Sequence, residues 1–363
     1  MIVVHVLEPF VSGVSTAVIN ITEQLPEMKH VVVHGSRVLV DDVENVRNKF
    51  PRGTEFVEWK SANREIRAIR DFRALRELLG ILKPYRKNTE IVIHLHSSKA
   101  GFLGRLACRL LGISSVIYTP HCAAFIRTDI GFLKRRLFRC LERIGGWFGG
   151  RVVGCGKSEA ILFSQLGKPA VWVSNGVHIS VGVKDPKPDL ISFSGVVSRQ
   201  KNPDLFNAIA HAFEGEAVPF CWIGDGPLRD RLSSKNVNVT GWVNKKMIDA
   251  YLGKTKIYLS ASSWEGLPFG VLEAMNSSCA LLLHDVPGNR DLVIPGENGY
   301  LFTDEQNAVE LLRDMLKNTE KTLAMGKQSR NMAVSDYSVE KMGEGYRNIY
   351  TALLSGRGLQ PCH

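Results

Sequence analysis

The sequence predicts an α/β fold of two doubly wound, Rossmann-like domains, each built on a parallel sheet. Short apolar, β-branched runs alternate with longer helical patterns along the chain, the pattern of strands joined by crossover helices. The runs are nearly continuous in apolar residues, as strands covered on both faces must be. They form two series, and the polar, proline-containing stretch VHISVGVKDPKPD (177–189) between them reads as a linker. A length of 363 residues suffices for two cores.

The first series fills residues 1–176. Its strand candidates are IVVHVL (2–7), HVVVH (30–34), IVIHLH (91–96), SSVIYT (114–119) and RVVGCG (151–156). REIRAIRDFRALRELL (64–79) and FLKRRLFRCLERIGGWF (132–148) read as helices. The second series fills 190–335, with LISFSGVV (190–197), VPFCWIG (218–224), NVNVTG (236–241), KIYLSAS (256–262) and ALLLHD (280–285). Ligands of open parallel sheets lie at the carboxyl ends of the strands, where loops meet helix N-termini. The loops after these runs are where chemistry is sought.

Composition narrows the partners. At 44% hydrophobic and 23% charged residues the chain is globular, and no run approaches the ~18–20 apolar residues that cross a bilayer. MIVVHVLEPF starts at once as a strand with no basic n-region, so no signal peptide is expected. The seven cysteines are scattered, without CxxC or a Cys/His pair at zinc spacing. Neither a disulfide framework nor a metal is expected, and the chain reads as reduced and cytoplasmic. A net charge of +10 and a pI near 9.3 favour anionic partners: nucleic acid, phosphorylated small molecules or an acidic lipid surface. Nucleic acid is set aside, because the basic segments lack interleaved aromatic platforms.

SSWEGLPFGVLEAM (262–275) follows a strand candidate directly. Pro268 suits the first turn of a helix running from about Phe269 through Met275. Gly266 and Gly270 permit close approach to that helix start, which suits a phosphate or an oxygen-rich ligand. Glu265 and Glu273 would repel an anion but accept paired hydrogen bonds from vicinal hydroxyls. A ligand with both phosphate and sugar hydroxyls explains both halves; equally, Glu265 could serve the helix dipole and Glu273 be a solvated surface acid. In SGVVSRQKNPDL (194–205), Arg199 and Lys201 precede a helix start near Pro203, a plausible diphosphate clamp or simply a solvated loop. WIGDGPLRDRL (222–232) reads as strand, Gly-Asp-Gly-Pro turn and helix, without a full dinucleotide fingerprint. His96 and His121 each close a strand candidate, at a catalytic, sugar-contacting or structural position; His94 reads as core, and Gly13 leaves space after the first strand.

In 132–148, about 100° per residue places Arg135, Arg136, Arg139 and Arg143 within one arc, with Leu133, Leu137, Cys140, Leu141, Ile144, Trp147 and Phe148 beside it. This is an amphipathic basic helix, suited either to an anionic membrane surface or to packing with a solvated cationic side. The arginines of 64–79 wind around their helix and form a weaker basic surface.

Taken together and in order, these elements resemble the family 4 glycosyltransferases, retaining nucleotide-sugar-dependent enzymes of the GT-B fold. EGLPFGVLE matches the family's signature of Glu, seven residues, Glu. HSSKAGFLGRLA (96–107), YTPH (118–121), SNGV (174–177), GDGPLR (224–229), VTGWV (239–243) and PGENGYLF (295–302) are also family-like. HSSKAG, YTPH and a basic helix look most like transferases that build O-antigen or capsule on a lipid carrier.

The resemblance implies two domains facing a cleft, the first acceptor-side and the second nucleotide-sugar-binding, with the segment 336–363 carrying a helix that crosses back. Glu273 would bind the ribose hydroxyls and Glu265 the donor sugar, with Gly266, Leu267, Pro268 and Phe269 supporting sugar and phosphate. Lys201 would hold the diphosphate and His121 would stand by the donor sugar. Gly224 and the stretch through Trp242 and Val243 would frame the base. Gly13 matches half of the family's first-loop glycine pair, and His96, Ser97 and Lys99 are acceptor-side candidates. One departure stands out. The family's arginine five positions before the diphosphate lysine is Val196 here, so either Arg199 takes its place or the diphosphate is held less tightly.

The expected function is transfer of a hexose or N-acetylhexosamine from a nucleoside-diphosphate sugar, UDP before GDP, to a polyprenyl-diphosphate-linked saccharide. The enzyme would be metal-independent and peripheral on the anionic inner face of the cell membrane. The alternatives are a hydrolysing nucleotide-sugar 2-epimerase, which the paired glutamates disfavour, and a non-catalytic GT-B partner subunit, which Val196 favours.

Overall fold

The computed structural model describes residues 1–35, 42–63, 65–180 and 188–357. Arg64, Cys362 and the middle of the expected linker (181–187) lie outside the described residues. Two compact units form. Unit 1 comprises Met1–Ile126, Ile130–Gly176 and the segment from Val339 onward; unit 2 comprises Val177–Ser338 with Arg127–Asp129.

Unit 1 alternates strands and helices: β1 (Ile2–Leu7), α1 (Ser12–Gln24), β2 (Lys29–His34), α2 (Val43–Arg47), β3 (Glu55–Glu58), α3 (Ala68–Leu82), β4 (Ile91–His96), α4 (Ser97–Leu111), β5 (Val116–Thr119), α5 (Phe132–Trp147), β6 (Arg151–Gly154), α6 (Lys157–Ser164) and β7 (Ala170–Trp172). Unit 2 continues with β8 (Leu190–Ser194), α7 (Pro203–His211), β9 (Phe220–Ile223), β10 (Val237–Val239), α8 (Lys245–Lys254), β11 (Thr255–Ser260) and α9 (Phe269–Asn276). It closes with β12 (Ala280–His284), α10 (Pro287–Arg290), β13 (Gly299–Phe302), α11 (Glu305–Lys317) and α12 (Thr319–Asp336); α13 (Val339–Leu354) then returns to unit 1.

Both sheets are parallel. The first runs β3-β2-β1-β4-β5-β6-β7 and the second β10-β9-β8-β11-β12-β13. Strand order reverses between β1 and β4 in one and between β8 and β11 in the other, the points where doubly wound sheets take their ligands. Three strands have no counterpart among the sequence candidates: β3, β7 and β13. All three are edge strands. An edge strand need not be apolar on both faces, so β3 reads EFVE and stays half exposed. After the GDGP turn, only a single 3-10 turn at Arg229–Arg231 forms where a helix was expected. Helix α3 starts at Ala68, later than the arginine pattern suggested.

Alternation divides the first sheet into unlike faces. Val4, Val6, Val31, Val33, Ile93 and Leu95 join Leu78 and Leu82 of α3 and Leu103 of α4 in the main core. The alternate positions carry His5, His30, His94 and His96, with His5 in register with His94 and Val3 with His30. Helix α13 packs on this histidine side, where the His94 ring bonds the Tyr350 hydroxyl through Nδ1 (2.8 Å) and Thr119 Oγ1 through Nε2 (2.9 Å).

Helix α5 is held differently. Its deeply buried residues are Glu142 and Gly145. Glu142 accepts from Arg105 Nη2 at 2.8 Å and from the Tyr118 hydroxyl at 2.9 Å. Four of its larger apolar residues face out, with Phe132 63%, Leu133 81%, Leu137 51% and Trp147 75% exposed, while Phe138, Leu141 and Ile144 are half-buried.

Candidate active site

The carboxyl ends of the strands hold the strained backbone of the molecule. Six described non-glycine residues adopt positive φ: Ser12, Ser97, His121, Cys122, Asn202 and Ser278. All but Ser278 lie in loops or helix starts that follow a strand's carboxyl end. Such conformations cost about 1–3 kcal/mol each and persist where surrounding structure holds them, commonly at functional sites.

In unit 2, the loops after β8 and β11 flank the strand-order reversal. Lys201 and Glu265 come from these two loops, and Lys201 Nζ lies 2.5 Å from Glu265 Oε1. Gln200 ties the loops together: its Nε2 donates to the Trp264 carbonyl (3.0 Å) and to Glu265 Oε2 (3.3 Å), and its carbonyl accepts from Ser263 N (2.8 Å). Glu265 is 5% exposed, and Lys201 is the cation that pairs with it there. Asn202, in the left-handed region at φ 52°, caps α7 by accepting from Leu205 N.

Gly266 and Leu267 are buried while Pro268 and Phe269 are half-buried. Pro268 is the cap residue before α9, one position earlier than the first-turn place expected for it. The carbonyl of Gly266 is packed so closely on α10 that a methyl on Gly288 would lie 1.9 Å from it. One helix turn into α9, Glu273 accepts from Lys245 Nζ at 2.8 Å, and the same ammonium reaches Asp249 at 2.7 Å. Burial alone would lower the Lys245 pKa, but Glu273 and Asp249 outweigh it and hold it above the ordinary value. Each acid of the paired motif is thus matched to its own lysine. Lys245 and Gln200 were not among the sequence candidates, although Gln200 is adjacent to Lys201 and Lys245 follows the VTGWV motif closely.

The rest of the donor-side set is spread around these pairs. Gly224 donates its N–H to Thr240 Oγ1 (3.1 Å), and at φ 141° a methyl on it would approach the Gly195 carbonyl to 2.3 Å. The loop after β9 therefore meets the loop after β8 backbone to backbone and the loop after β10 through the Thr240 side chain. Trp242 is 55% exposed and Val243 half-buried, just before α8. Arg199 is exposed and Val196 half-buried.

In unit 1, His121 follows β5 with φ 55° and Cys122 with φ 111°. The turn is held by Glu159, whose two carboxylate oxygens accept from Cys122 N (2.7 Å) and Cys155 N (2.9 Å). Burial raises the Glu159 pKa, and burial pushes that of His121 down to about 3. His96 Nδ1 lies 2.9 Å from His121 Nε2, so these two candidates do meet. His96 itself is fully buried. Ser97 begins α4 at φ 69° with its hydroxyl buried and unpartnered. Lys99 is turned to α3, donating to Asp71 Oδ1 (2.5 Å) and the Glu65 carbonyl (2.7 Å). Gly13 is exposed in the first turn of α1. On α5, Arg136, Arg139 and Arg143 are exposed and Arg135 half-buried. Among the described residues, His5, His94 and His96 form a metal-compatible group, with one nitrogen from each within 4.8 Å of the others.

The model of Glycosyltransferase Family 4 matches residues 11–181 and that of Glycosyl transferases group 1 matches residues 177–332. The chain is 26% identical over 386 residues to the UDP-Gal:alpha-D-GlcNAc-diphosphoundecaprenol alpha-1,3-galactosyltransferase of Escherichia coli, with 96% of each chain covered. It is also 26% identical over 335 residues to an uncharacterized 41.2 kDa protein in the cps region of Klebsiella pneumoniae, covering 86% of this chain and 89% of that one. Among solved structures, sucrose-phosphate synthase of Thermosynechococcus elongatus superposes with a TM-score of 0.80 at 14% identity over 98% of this chain and 100% of that one. Anabaena HepE in complex with UDP and glucose superposes with a TM-score of 0.76 at 14% identity, covering 96% and 99%.

Proposed function

We propose that this chain, a GT-B glycosyltransferase of the family 4 type that uses a nucleotide sugar, moves a hexose or N-acetylhexosamine from a UDP-sugar, with retention, to a polyprenyl-diphosphate-linked saccharide during assembly of a bacterial surface polysaccharide. The observation that carries the reading is the pair of lysine-matched acids, Glu265 with Lys201 and Glu273 with Lys245, at the start of α9. A lysine ammonium has three N–H donors. Lys201 spends one on Glu265 and keeps the others for a diphosphate, while Glu265 accepts hydroxyls of the donor sugar. Glu273 takes the ribose hydroxyls by the same logic.

In this mechanism the charge that develops on the departing diphosphate is met by Lys201 and by the amides of the Gly266–Phe269 turn, assisted by Arg199. The diphosphate oxygen then receives the acceptor's hydroxyl proton as the new glycosidic bond forms on the same face of the sugar. No protein nucleophile and no metal is required. His121 stands by the sugar, and His96 orients it. Gly224, Trp242 and Val243 frame the base, and Gly13, Ser97 and Lys99 belong to the acceptor side.

A lipid-linked acceptor is supported by the Escherichia coli relative, named for a GlcNAc-diphosphoundecaprenol substrate, and by the outward apolar side of α5. Exposed Phe132, Leu133 and Leu137 beside Arg135, Arg136, Arg139 and Arg143 suit an anionic membrane surface. The protein thus works as a peripheral enzyme on the cytoplasmic face.

The test is transfer of label from a panel of UDP-sugars, UDP-galactose first, to synthetic GlcNAc-diphosphoundecaprenol. Label in the lipid fraction, lost in Glu273→Ala together with UDP-sugar affinity, supports the reading. Unchanged UDP-sugar affinity in that variant would remove the ribose role, and no transfer from any UDP-sugar by the wild type would remove the function.

A further inference from the structure

We infer that a file of histidines, the buried His30, His5 and His96 and the half-buried His121, locks His121 into one tautomer, with its proton on Nε2 and a bare Nδ1 that accepts a hydrogen bond from a substrate hydroxyl. The substrate part rests on the reading above that His121 stands by the reacting sugar; the lock itself does not.

The file crosses four neighbouring strands or their ends, in the order β2, β1, β4, β5. His30 Nε2 lies 2.9 Å from the Leu25 carbonyl, His30 Nδ1 3.2 Å from His5 Nε2, His5 Nδ1 3.1 Å from His96 Nε2, and His96 Nδ1 2.9 Å from His121 Nε2. A carbonyl oxygen only accepts, so His30 must carry its proton on Nε2. Its Nδ1 is then bare, and His5 must donate to it from Nε2. The same alternation repeats at His96 and reaches His121, which donates inward from Nε2. Running the file the other way would set the bare Nε2 of His30 against the lone pairs of the Leu25 carbonyl. No partner among the described residues takes His121 Nδ1.

Neutrality makes the alternation obligatory, because a doubly protonated ring anywhere in the file would donate in both directions, reverse the rings beyond it and leave a proton on His121 Nδ1. Burial lowers the pKa of His5, His30, His96 and His121 alike, so each ring carries one proton. The far end of the file also decides its kind. A peptide carbonyl cannot take up a proton, so the file is a lock and not a conduit. His94 lies against His96, with ring centroids 3.8 Å apart, but spends both nitrogens on Tyr350 and Thr119. The strained backbone of His121 fits the same purpose, since a fixed tautomer is useful only on a fixed ring. His5, His30 and His96 are therefore positioning residues for His121.

The competing use of the cluster is a metal held by His5, His94 and His96. A metal would take one bare nitrogen from each ring, whereas both nitrogens of His5 and of His96 are already spent on hydrogen bonds of the file. The two arrangements exclude each other.

The experiment is long-range proton–nitrogen correlation on the full chain labelled with 15N-histidine, with His121 assigned from His121→Gln. The lock predicts protonated Nε2 and unprotonated Nδ1 at His121, unchanged from pH 8 to pH 6. A protonated Nδ1, a mixture of tautomers in the wild type, or one equivalent of bound zinc would overturn it. His30→Phe removes the anchor; His121 should then average between tautomers and kcat fall roughly tenfold or more with donor KM little changed. His30→Gln, whose amide offers a donor to Leu25 and an acceptor to His5, should restore both. An unaltered His121 spectrum in folded His30→Phe counts against the lock, and if that variant does not fold the wild-type spectrum decides alone. A locked His121 in a protein that transfers no sugar would spare the lock and sink the glycosyl-transfer reading.

Discussion

Lys201 and Glu265 stand 64 residues apart in sequence, yet their side chains meet at 2.5 Å where the second sheet reverses its strand order. The pair joins the loop after β8 to the loop after β11, so a residue proposed for the diphosphate and one proposed for the sugar position each other. Lys201→Ala leaves a buried carboxylate without its cation, which costs about 3–5 kcal/mol when a buried pair is broken. Glu265→Gln keeps the shape and an acceptor for Lys201. Urea unfolding should show a large loss for the first and a small one for the second, while both lose transfer activity by on the order of 100-fold.

Val196 occupies the place where similar enzymes carry an arginine, and it is half-buried beside Gly195. Val196→Arg should add a charged hydrogen bond to the diphosphate, tightening UDP binding by about 1.5–3 kcal/mol. Calorimetric titration with UDP measures this. An unchanged affinity in Val196→Arg, with a marked loss in Arg199→Ala, would show that Arg199 already fills the role.

Acid should destabilise unit 1 through its histidines. His5, His94 and His96 are buried, and burial holds each pKa well below the ordinary 6.5. Below pH 6.5 the unfolded chain therefore binds protons that the folded chain refuses, so stability is full above that pH and falls as pH drops. By pH 5 each such histidine withdraws about 2 kcal/mol. Urea midpoints between pH 8 and pH 5 should fall steeply below pH 6.5, and His94→Gln should flatten the slope. A flat profile would mean that these rings are not kept neutral.

The α5 surface should bind anionic vesicles in a salt-sensitive way. Arg136 and Arg139 are exposed beside Phe132 and Leu133, and each basic residue near such a surface contributes about 1 kcal/mol. Arg136→Glu with Arg139→Glu should weaken flotation with phosphatidylglycerol vesicles by roughly 30-fold or more, without altering the melting temperature. Leu133→Ser with Leu137→Ser should reduce binding that persists at high salt. Equal binding by wild type and the arginine double variant would leave α5 as a solvated helix.

The central strands of both sheets were legible because strands covered on both faces must be apolar throughout, and IVIHLH or ALLLHD can be little else. Three of the four edge strands were not, since a strand such as EFVE at 55–58 is half exposed and has no continuous apolar run. Glu265 and Glu273 were visible through their spacing around a helix start. Their lysines were less so, because Lys245 is one of several lysines in a polar segment and only the fold brings it 2.8 Å from Glu273. The histidine file was present in outline. Five of the ten histidines lie in β1, β2 and β4 at alternating positions. Reading each strand alone as core hid the stripe, which emerges only when strand order and register set His30, His5 and His96 side by side.

The return of α13 to unit 1 has a consequence for how the protein is made. Unit 1 is interrupted in sequence by the whole of unit 2, and the hydroxyl that closes over His94 belongs to Tyr350. A chain emerging from the ribosome reaches Ser338 with unit 2 fully synthesised while the part of the first sheet that α13 covers, His94 included, is still open to water. The second unit in sequence is thus the first able to finish folding, and the N-terminal sheet waits for the last helix. A premature stop codon between Val339 and Tyr350 would be felt at the far end of the protein, as an uncovered imidazole on β4.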